Sequence, residues 1–424
     1  MRTIRAAAAF LCILTSLALP LAAGAQTTVR PDQVGLSAER LARIGELVER
    51  HVEAGDISGA VTLVARDGRI AHLEAHGEMD IASRKSMAPD AIFRIASMSK
   101  PVGAIAILML IEEGKIRLND PVSRFIPAYE DMQIGIAQPR RAGPGFGGPP
   151  PGPGEPPEFY AVPAARDVRI LDLLTHTSGV MSGQIGNFAG RAASATRHDA
   201  GVAWTEALGA APLDFQPGTR WAYSALAGFD VLSRIVEIAS GQTFDRFLRE
   251  RVFAPLGMSD TSFWPTPEQR QRLVTTYVSR NGELVPREDP DSMSGERYFS
   301  AAGGLMTTAR DYARFAMMLA NGGELDGTRI LSRRSVELMG SVFIPDTLPG
   351  RRSGEGFGLG VRVVSDPALR ATWLSEGTFG WSGLYGTHFW VDPKENLVGI
   401  ILAQTSVRSM LDDFETVVMQ AVVE

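Results

Sequence analysis

The chain is predicted to fold as an α/β (α+β) protein. One antiparallel sheet is built from both ends of the mature chain and flanked by helices, with a mostly helical part inserted between. Three observations predict this. Strand-like runs cluster near the two ends, helical periodicity dominates the middle, and Asp67-Gly68 between two N-terminal runs is a strong hairpin signal.

The elements follow in order. Residues 1–25 read as a secretory signal: Arg2 and Arg5 start it, an apolar run follows to about Leu21, and Ala23-Gly24-Ala25 supplies a small-residue cleavage pattern. The run is short and broken by Pro20, which argues against a stable membrane span. The mature protein is therefore expected to be exported, periplasmic or secreted. Cys12, the single cysteine, lies in this segment, so the mature chain has no disulfide and no cysteine-based metal site.

The mature domain is expected over 26–424, with its α/β part at 26–115 and about 340–424 and its helical part at about 116–339. Residues 37–53 carry Leu41, Ile44, Leu47 and Val48 on one helical face. Strands are expected at 58–65 and 69–76, and again at 356–364, 383–391 and 397–404, before a last helix over 410–422. Helical spacing marks 170–174, 230–239, 244–253 and 311–320. The Pro/Gly-rich insertion at 138–163 is expected to be a mobile surface segment without regular structure. Its Gly143–Gly148 stretch formally matches G-x-G-x-x-G, but no strand precedes it, no helix follows, and proline interrupts it.

Several function classes are disfavoured. The net charge is −6 with no long basic run, which argues against nucleic acid as a partner. No His-Glu-x-x-His pattern occurs, and residues 380–384 only approach a Gly-x-Ser-x-Gly elbow. No metal or cofactor is expected, and oligomeric state is not legible.

Only four lysines occur, Lys85, Lys100, Lys115 and Lys394, and Lys100 alone has a serine, Ser97, three residues before it. Arginine cannot serve as a base in a protein, whereas lysine can. Ser97 is expected to open a helix over 97–113, stopped at Gly114, so that Ser97 and Lys100 share a face at the positive end of the helix dipole. That field favours a developing serine alkoxide. The spacing alone is also compatible with a serine cap and an exposed lysine.

Further segments extend the pattern: Leu173-Leu174-Thr175-His176-Thr177-Ser178-Gly179, Tyr223-Ser224-Ala225, Pro255-Leu256-Gly257-Met258, Ala302-Gly303-Gly304-Leu305 and Gly380-Trp381-Ser382-Gly383. With Ser97-Met98-Ser99-Lys100, and in this order, they resemble the serine β-lactamase and penicillin-binding-protein superfamily. The likeness is strongest to its class C-like branch, which includes the family VIII esterases. The resemblance covers nearly all of the mature chain and implies the β-lactamase/transpeptidase-like fold. It implies Ser97 as nucleophile, Lys100 and Tyr223 as its base pair, and the N–H groups of Ser97 and Leu384 as oxyanion hole. Trp381, Ser382, Gly383 and His388 are implied at the substrate cleft.

Two departures from the family pattern bear on substrate. Ala225 stands where β-lactamases of this branch carry asparagine, and Trp381 stands where the third motif usually has lysine. An amide for an acylamide side chain and a cation for a carboxylate are thus missing, and an apolar platform is gained. The expected function is hydrolysis of small-molecule carboxylic esters through an acyl-enzyme. A β-lactamase or D-amino-acid peptidase acting on an amide, and an acyltransferase, are alternatives with the same nucleophile; a non-catalytic binding protein is a further one. His176 is expected to be structural, and His388 either to be a satisfied sheet histidine or to approach the leaving group.

Overall fold

The computed structural model describes residues 28–138, 157–194, 201–287 and 298–424. The expected signal segment 1–25 lies outside the described residues. Helix α1 (Ala38–Glu53) starts where the Ser37 hydroxyl accepts the Arg40 N–H, and buries Leu41, Ile44, Leu47 and Val48. Strands β1 (Gly59–Arg66) and β2 (Arg69–Asp80) form the predicted hairpin, with Asp67 and Gly68 both at positive φ, as a tight two-residue turn requires. A short β3 (Lys85–Ser86) follows, then α2 (Ser99–Glu112), α3 (Ala227–Ser240) and α4 (Ala309–Ala320). The chain returns to the sheet through β4 (Glu355–Phe357), β5 (Arg362–Val364), β6 (Phe379–Ser382), β7 (His388–Asp392) and β8 (Leu397–Ala403), and finishes with α5 (Arg408–Met419).

These strands form one antiparallel sheet in the order β4-β5-β6-β7-β8-β1-β2-β3, so the two ends of the chain meet where β8 pairs with β1. Both faces are covered. Ala60, Val64, Trp390 and Ile401 pack with α1 and α5, whereas Val61, Leu63, Phe389 and Ile400 face a second core shared with α2 and α4. Double coverage explains why β8 reads as an unbroken apolar run rather than an alternating one.

The sequence expectations need four adjustments. The strand expected at 356–364 is two strands, because Gly360 takes φ 79 in the turn between them. Residues 383–387 form a turn rather than the start of a strand, and β6 precedes it as a separate element. The helix expected from Ser97 is preceded by a 3-10 turn over Ala96–Met98, with α2 beginning at Ser99. Within the Pro/Gly-rich segment, Phe159–Pro163 pairs antiparallel with Gln133–Ala137, because regular backbone pairing is available once the prolines of 144–157 are past. The rest of that segment, 139–156, lies outside the described residues. No helix among the described residues is long and apolar enough to cross a membrane.

Candidate active site

The candidate site lies where the 3-10 turn before α2 meets the end of β6 and the segments around Tyr223 and Ala302. Phe93–Arg94 pairs with Met306–Thr307, which sets the loop carrying Ala302 beside the turn. Ala96 takes φ 42, in the left-handed region that non-glycine residues rarely adopt, immediately before Ser97. The tight turn presents Ser97 half-buried at the cleft. Its N–H lies in the first turn, where backbone donors lack an intrahelical partner.

Lys100 is fully buried and donates to the carbonyls of Ala302 at 2.7 Å and Ala225 at 2.8 Å. Its third direction faces the Ser97 hydroxyl at 3.2 Å. With two N–H groups committed to carbonyls, the remaining position holds a third N–H on the ammonium or a lone pair on the amine. Proton exchange with Ser97 therefore needs no movement of the lysine. The Tyr223 hydroxyl lies 2.7 Å from the same serine oxygen, and Lys100 Nζ lies 5.0 Å from the Tyr223 ring centroid. Burial works to raise the phenol's pKa. The charge on Lys100 and the hydrogen bonds around the phenol oxygen outweigh burial and hold it below its ordinary value.

His176 and Asp230 support this group from behind. His176 is buried at positive φ, and its Nδ1 accepts the Ser224 N–H at 3.3 Å, pinning the Tyr223–Ala225 segment. Its ring packs 4.8 Å from that of Tyr223, centroid to centroid, and also against Trp221, Phe229 and Phe357. Burial first, and the charges of Lys100 and Arg351 next, push its pKa well down, so the imidazole is neutral. This matches the structural role expected of His176. Asp230 on α3 accepts from the Ser300 hydroxyl at 2.7 Å and the Ala302 N–H at 3.1 Å, orienting the Ala302 carbonyl toward Lys100. Asp230 was not singled out from sequence; its only signal there was a carboxylate on the apolar face of a helix.

Trp381, Ser382, Gly383 and Leu384 line the same cleft as Ser97 and Tyr223. Neighbouring residues in a strand point to opposite faces. Trp381 accordingly packs toward the helical part, with ring centroids 5.5 Å from Tyr223 and 5.3 Å from Phe357. Ser382 is directed to the α5 side, opposite its cross-strand partner His388. Gly383 is obligatory: a Cβ there would meet the Ile95 carbonyl and the Thr387 hydroxyl, both at 2.2 Å. Leu384 is exposed in the turn after β6.

His388 does not reach the cleft as expected from sequence. It is buried beneath the sheet end because Trp390, two residues on, belongs to the core under α5. It contacts the cleft only through Ser382, whose Oγ lies 2.8 Å from His388 Nδ1. The cleft wall also carries Arg351, Arg352, Arg362 and Arg408, together with Glu355. In the sequence the pair Arg351-Arg352 reads as solvated loop charge, but the Arg351 side chain is buried because it pairs with Glu355. Arg351 stacks 4.4 Å over Trp221 and pairs with Glu355 at 3.0 Å, and Arg362 pairs with Glu415 at 2.8 Å. Among the described residues, no cluster of three or more His, Cys, Asp or Glu side chains is placed to hold a metal ion.

A family model described as Beta-lactamase matches residues 44–423. Protein Rv1367c of Mycobacterium tuberculosis is 35% identical over 370 residues, covering 83% of this chain and 87% of the relative. Esterase EstB of Burkholderia gladioli is 29% identical over 408 residues, covering 90% and 94%. Among solved structures, EstCE1, a hydrolase with promiscuous acyltransferase activity, superposes with a TM-score of 0.73 at 25% identity, covering 91% of this chain and 99% of its own.

Proposed function

The chain belongs to the beta-lactamase family and is a serine hydrolase of it, and on that premise we propose that it is an exported enzyme that cleaves carboxylic esters through an acyl-enzyme on Ser97. The observation that carries the proposal is the Ser97 hydroxyl held between Lys100 at 3.2 Å and Tyr223 at 2.7 Å.

In this reading Lys100 and Tyr223 act as one base. Tyr223, its pKa held down by Lys100, takes the Ser97 proton as the serine oxygen attacks the ester carbonyl. The developing oxyanion is met by the N–H groups of Ser97 and Leu384. The pair then returns the proton to the departing alkoxide, so the alcohol leaves neutral. Water, deprotonated by the same pair, attacks the acyl-enzyme and restores Ser97.

Ester rather than lactam chemistry is supported by the residues at two motif positions. Ala225 contributes only its backbone carbonyl, already occupied by Lys100, and Trp381 presents a ring in place of a cation. The likeness to esterase EstB points the same way. Export rests on the signal-like character of residues 1–25.

The test compares p-nitrophenyl butyrate with a chromogenic cephalosporin on the purified protein and on Ser97→Ala. Ester turnover that vanishes in Ser97→Ala supports the proposal. Fast cephalosporin turnover without ester hydrolysis overturns it.

A further inference from the structure

Behind the cleft wall, Ser382 begins a buried chain of polar contacts. Ser382 Oγ lies 2.8 Å from His388 Nδ1, His388 Nε2 lies 3.0 Å from Glu415 Oε1, and Arg362 donates to that same oxygen at 2.8 Å. His388 is 1%, Glu415 4% and Arg362 7% exposed, so water competes little for these bonds. The chain joins four elements: β5, which carries Arg362, β6 and β7, paired at Ser382 and His388, and α5, which supplies Glu415.

The direction of each hydrogen bond follows from its neighbours. Arg362 is a permanent donor, and its contact keeps Glu415 a carboxylate, which only accepts. His388 Nε2 must therefore carry a hydrogen. The remaining question is whether Nδ1 carries one too. A doubly protonated ring would be a buried cation beside Arg362 and near Arg408, with Glu415 as the carboxylate in contact with it, while Asp412 is met by Arg408 and Glu355 by Arg351. Burial holds the His388 pKa below its ordinary value despite the bond to Glu415. The ring is neutral, its Nδ1 is an acceptor, and the Ser382 hydroxyl donates inward.

From this polarity we infer that Ser382, which lines the cleft while its hydroxyl hydrogen is committed to His388, is a specificity residue that can meet a substrate only as a hydrogen-bond acceptor, so that the site selects esters carrying a hydroxyl or N–H donor near the reacting carbonyl. His388 and Glu415 are positioning residues, acting through Ser382. A hydroxyl committed inward has no hydrogen to offer a substrate carboxylate. The same arrangement argues against a second base: moving a proton onto His388 would create the buried cation that its surroundings oppose. The selectivity half of this inference rests on the ester-hydrolase reading.

Two measurements test it on the full mature chain. In 15N-histidine-labelled protein, with the His388 signals assigned by their loss in His388→Gln, Nδ1 should resonate as a pyridine-type and Nε2 as a pyrrole-type nitrogen at neutral pH. A protonated Nδ1 overturns the inference whether or not any ester is cleaved. Methyl butyrate is then compared with its 2- and 3-hydroxy derivatives and with monomethyl succinate. At least one hydroxy ester should exceed methyl butyrate in kcat/KM by about three- to tenfold, the range expected of one neutral hydrogen bond. Ser382→Ala should bring that ratio close to one, without lowering the ratio for the succinate ester. Absence of a hydroxy preference, its survival in Ser382→Ala, or loss of a succinate preference in that variant overturns the inference. If no ester is cleaved, the ester-hydrolase reading and the selectivity both fail, and the nitrogen shifts still decide the polarity of Ser382.

Discussion

Replacing Glu415 by glutamine probes how much the buried chain behind the cleft stabilises the fold. Burial raises the Glu415 carboxyl, but His388 and Arg362 outweigh it and hold the pKa at about 2, against 4.5 for an ordinary glutamate. That gap corresponds to about 3 kcal/mol of stability at neutral pH. The folded value is the lower one, so between about pH 4.5 and pH 2 the unfolded chain binds a proton that the folded chain excludes. The contribution is therefore complete above pH 4.5, about halved near pH 3, and lost as pH falls through 2. Glu415→Gln removes it and leaves Arg362 buried opposite an amide, and breaking a buried pair from one side costs about 3–5 kcal/mol. The expected loss at pH 7 lies in that range. Urea denaturation followed by tryptophan fluorescence, on both proteins from pH 8 to pH 3, reads the difference directly. It should narrow by about half at pH 3, because glutamine does not titrate. A difference below about 1 kcal/mol at pH 7, or one that is the same at pH 3 and pH 7, would refute the reasoning.

The remaining outcomes concern the proposed chemistry. Tyr223→Phe should lower kcat for p-nitrophenyl butyrate by about 10²–10⁴-fold with a smaller effect on KM, since a base and not a binding contact is removed. In the wild type the rate should rise with pH as the phenol deprotonates, with a midpoint below 10, and Tyr223→Phe should lack that rise. Lys100→Met should move the midpoint upward, because burial of Tyr223 remains while the opposing charge is gone. Gly383→Ala should lower kcat at least about tenfold and reduce Tm. Its Cβ would collide with the Ile95 carbonyl two residues before Ser97, and a Tm and kcat both equal to wild type would show the turn to be more yielding than its contacts imply.

Much of the fold and the core of the site are legible in the sequence, for identifiable reasons. The β1–β2 hairpin is announced locally by Asp67-Gly68, and α1 by the spacing of its apolar face. Ser97, Lys100 and Tyr223 belong to short segments whose spacing and order persist in the linear chain, and the fold brings their polar atoms within hydrogen-bond distance. The split of the strand at 356–364 was not legible, because Gly358 and Gly360 do not announce a turn in the way an Asp-Gly pair does. Asp230 was missed for a related reason. Its function is to orient a carbonyl 72 residues away, and nothing near it in sequence marks that task.

The charge of the cleft is the deepest of the illegible features, and it changes what the third motif means. Trp381 in place of lysine suggests that positive charge has been lost from the wall. Yet Arg351, Arg352, Arg362 and Arg408 converge on the same cleft from three separate segments, which only the sheet order and the start of α5 bring together. Their number does not set the field. Arg351 is matched by Glu355 and Arg362 by Glu415, both in buried pairs, whereas Arg408 meets Asp412 at 3.5 Å with both side chains half-exposed. The buried pairs act as fixed structure, and water screens both the Arg408 pair and the exposed Arg352. Trp381 stands on the Ser97 side of the wall, over Tyr223, where a lysine would have added an unpaired cation beside Lys100. Tryptophan at this position thus keeps charge away from the proposed base pair while the arginines of the wall remain. A lysine restored at 381 would compete with Lys100 for influence over Tyr223, so the motif change bears on the proposed base pair as well as on the substrate.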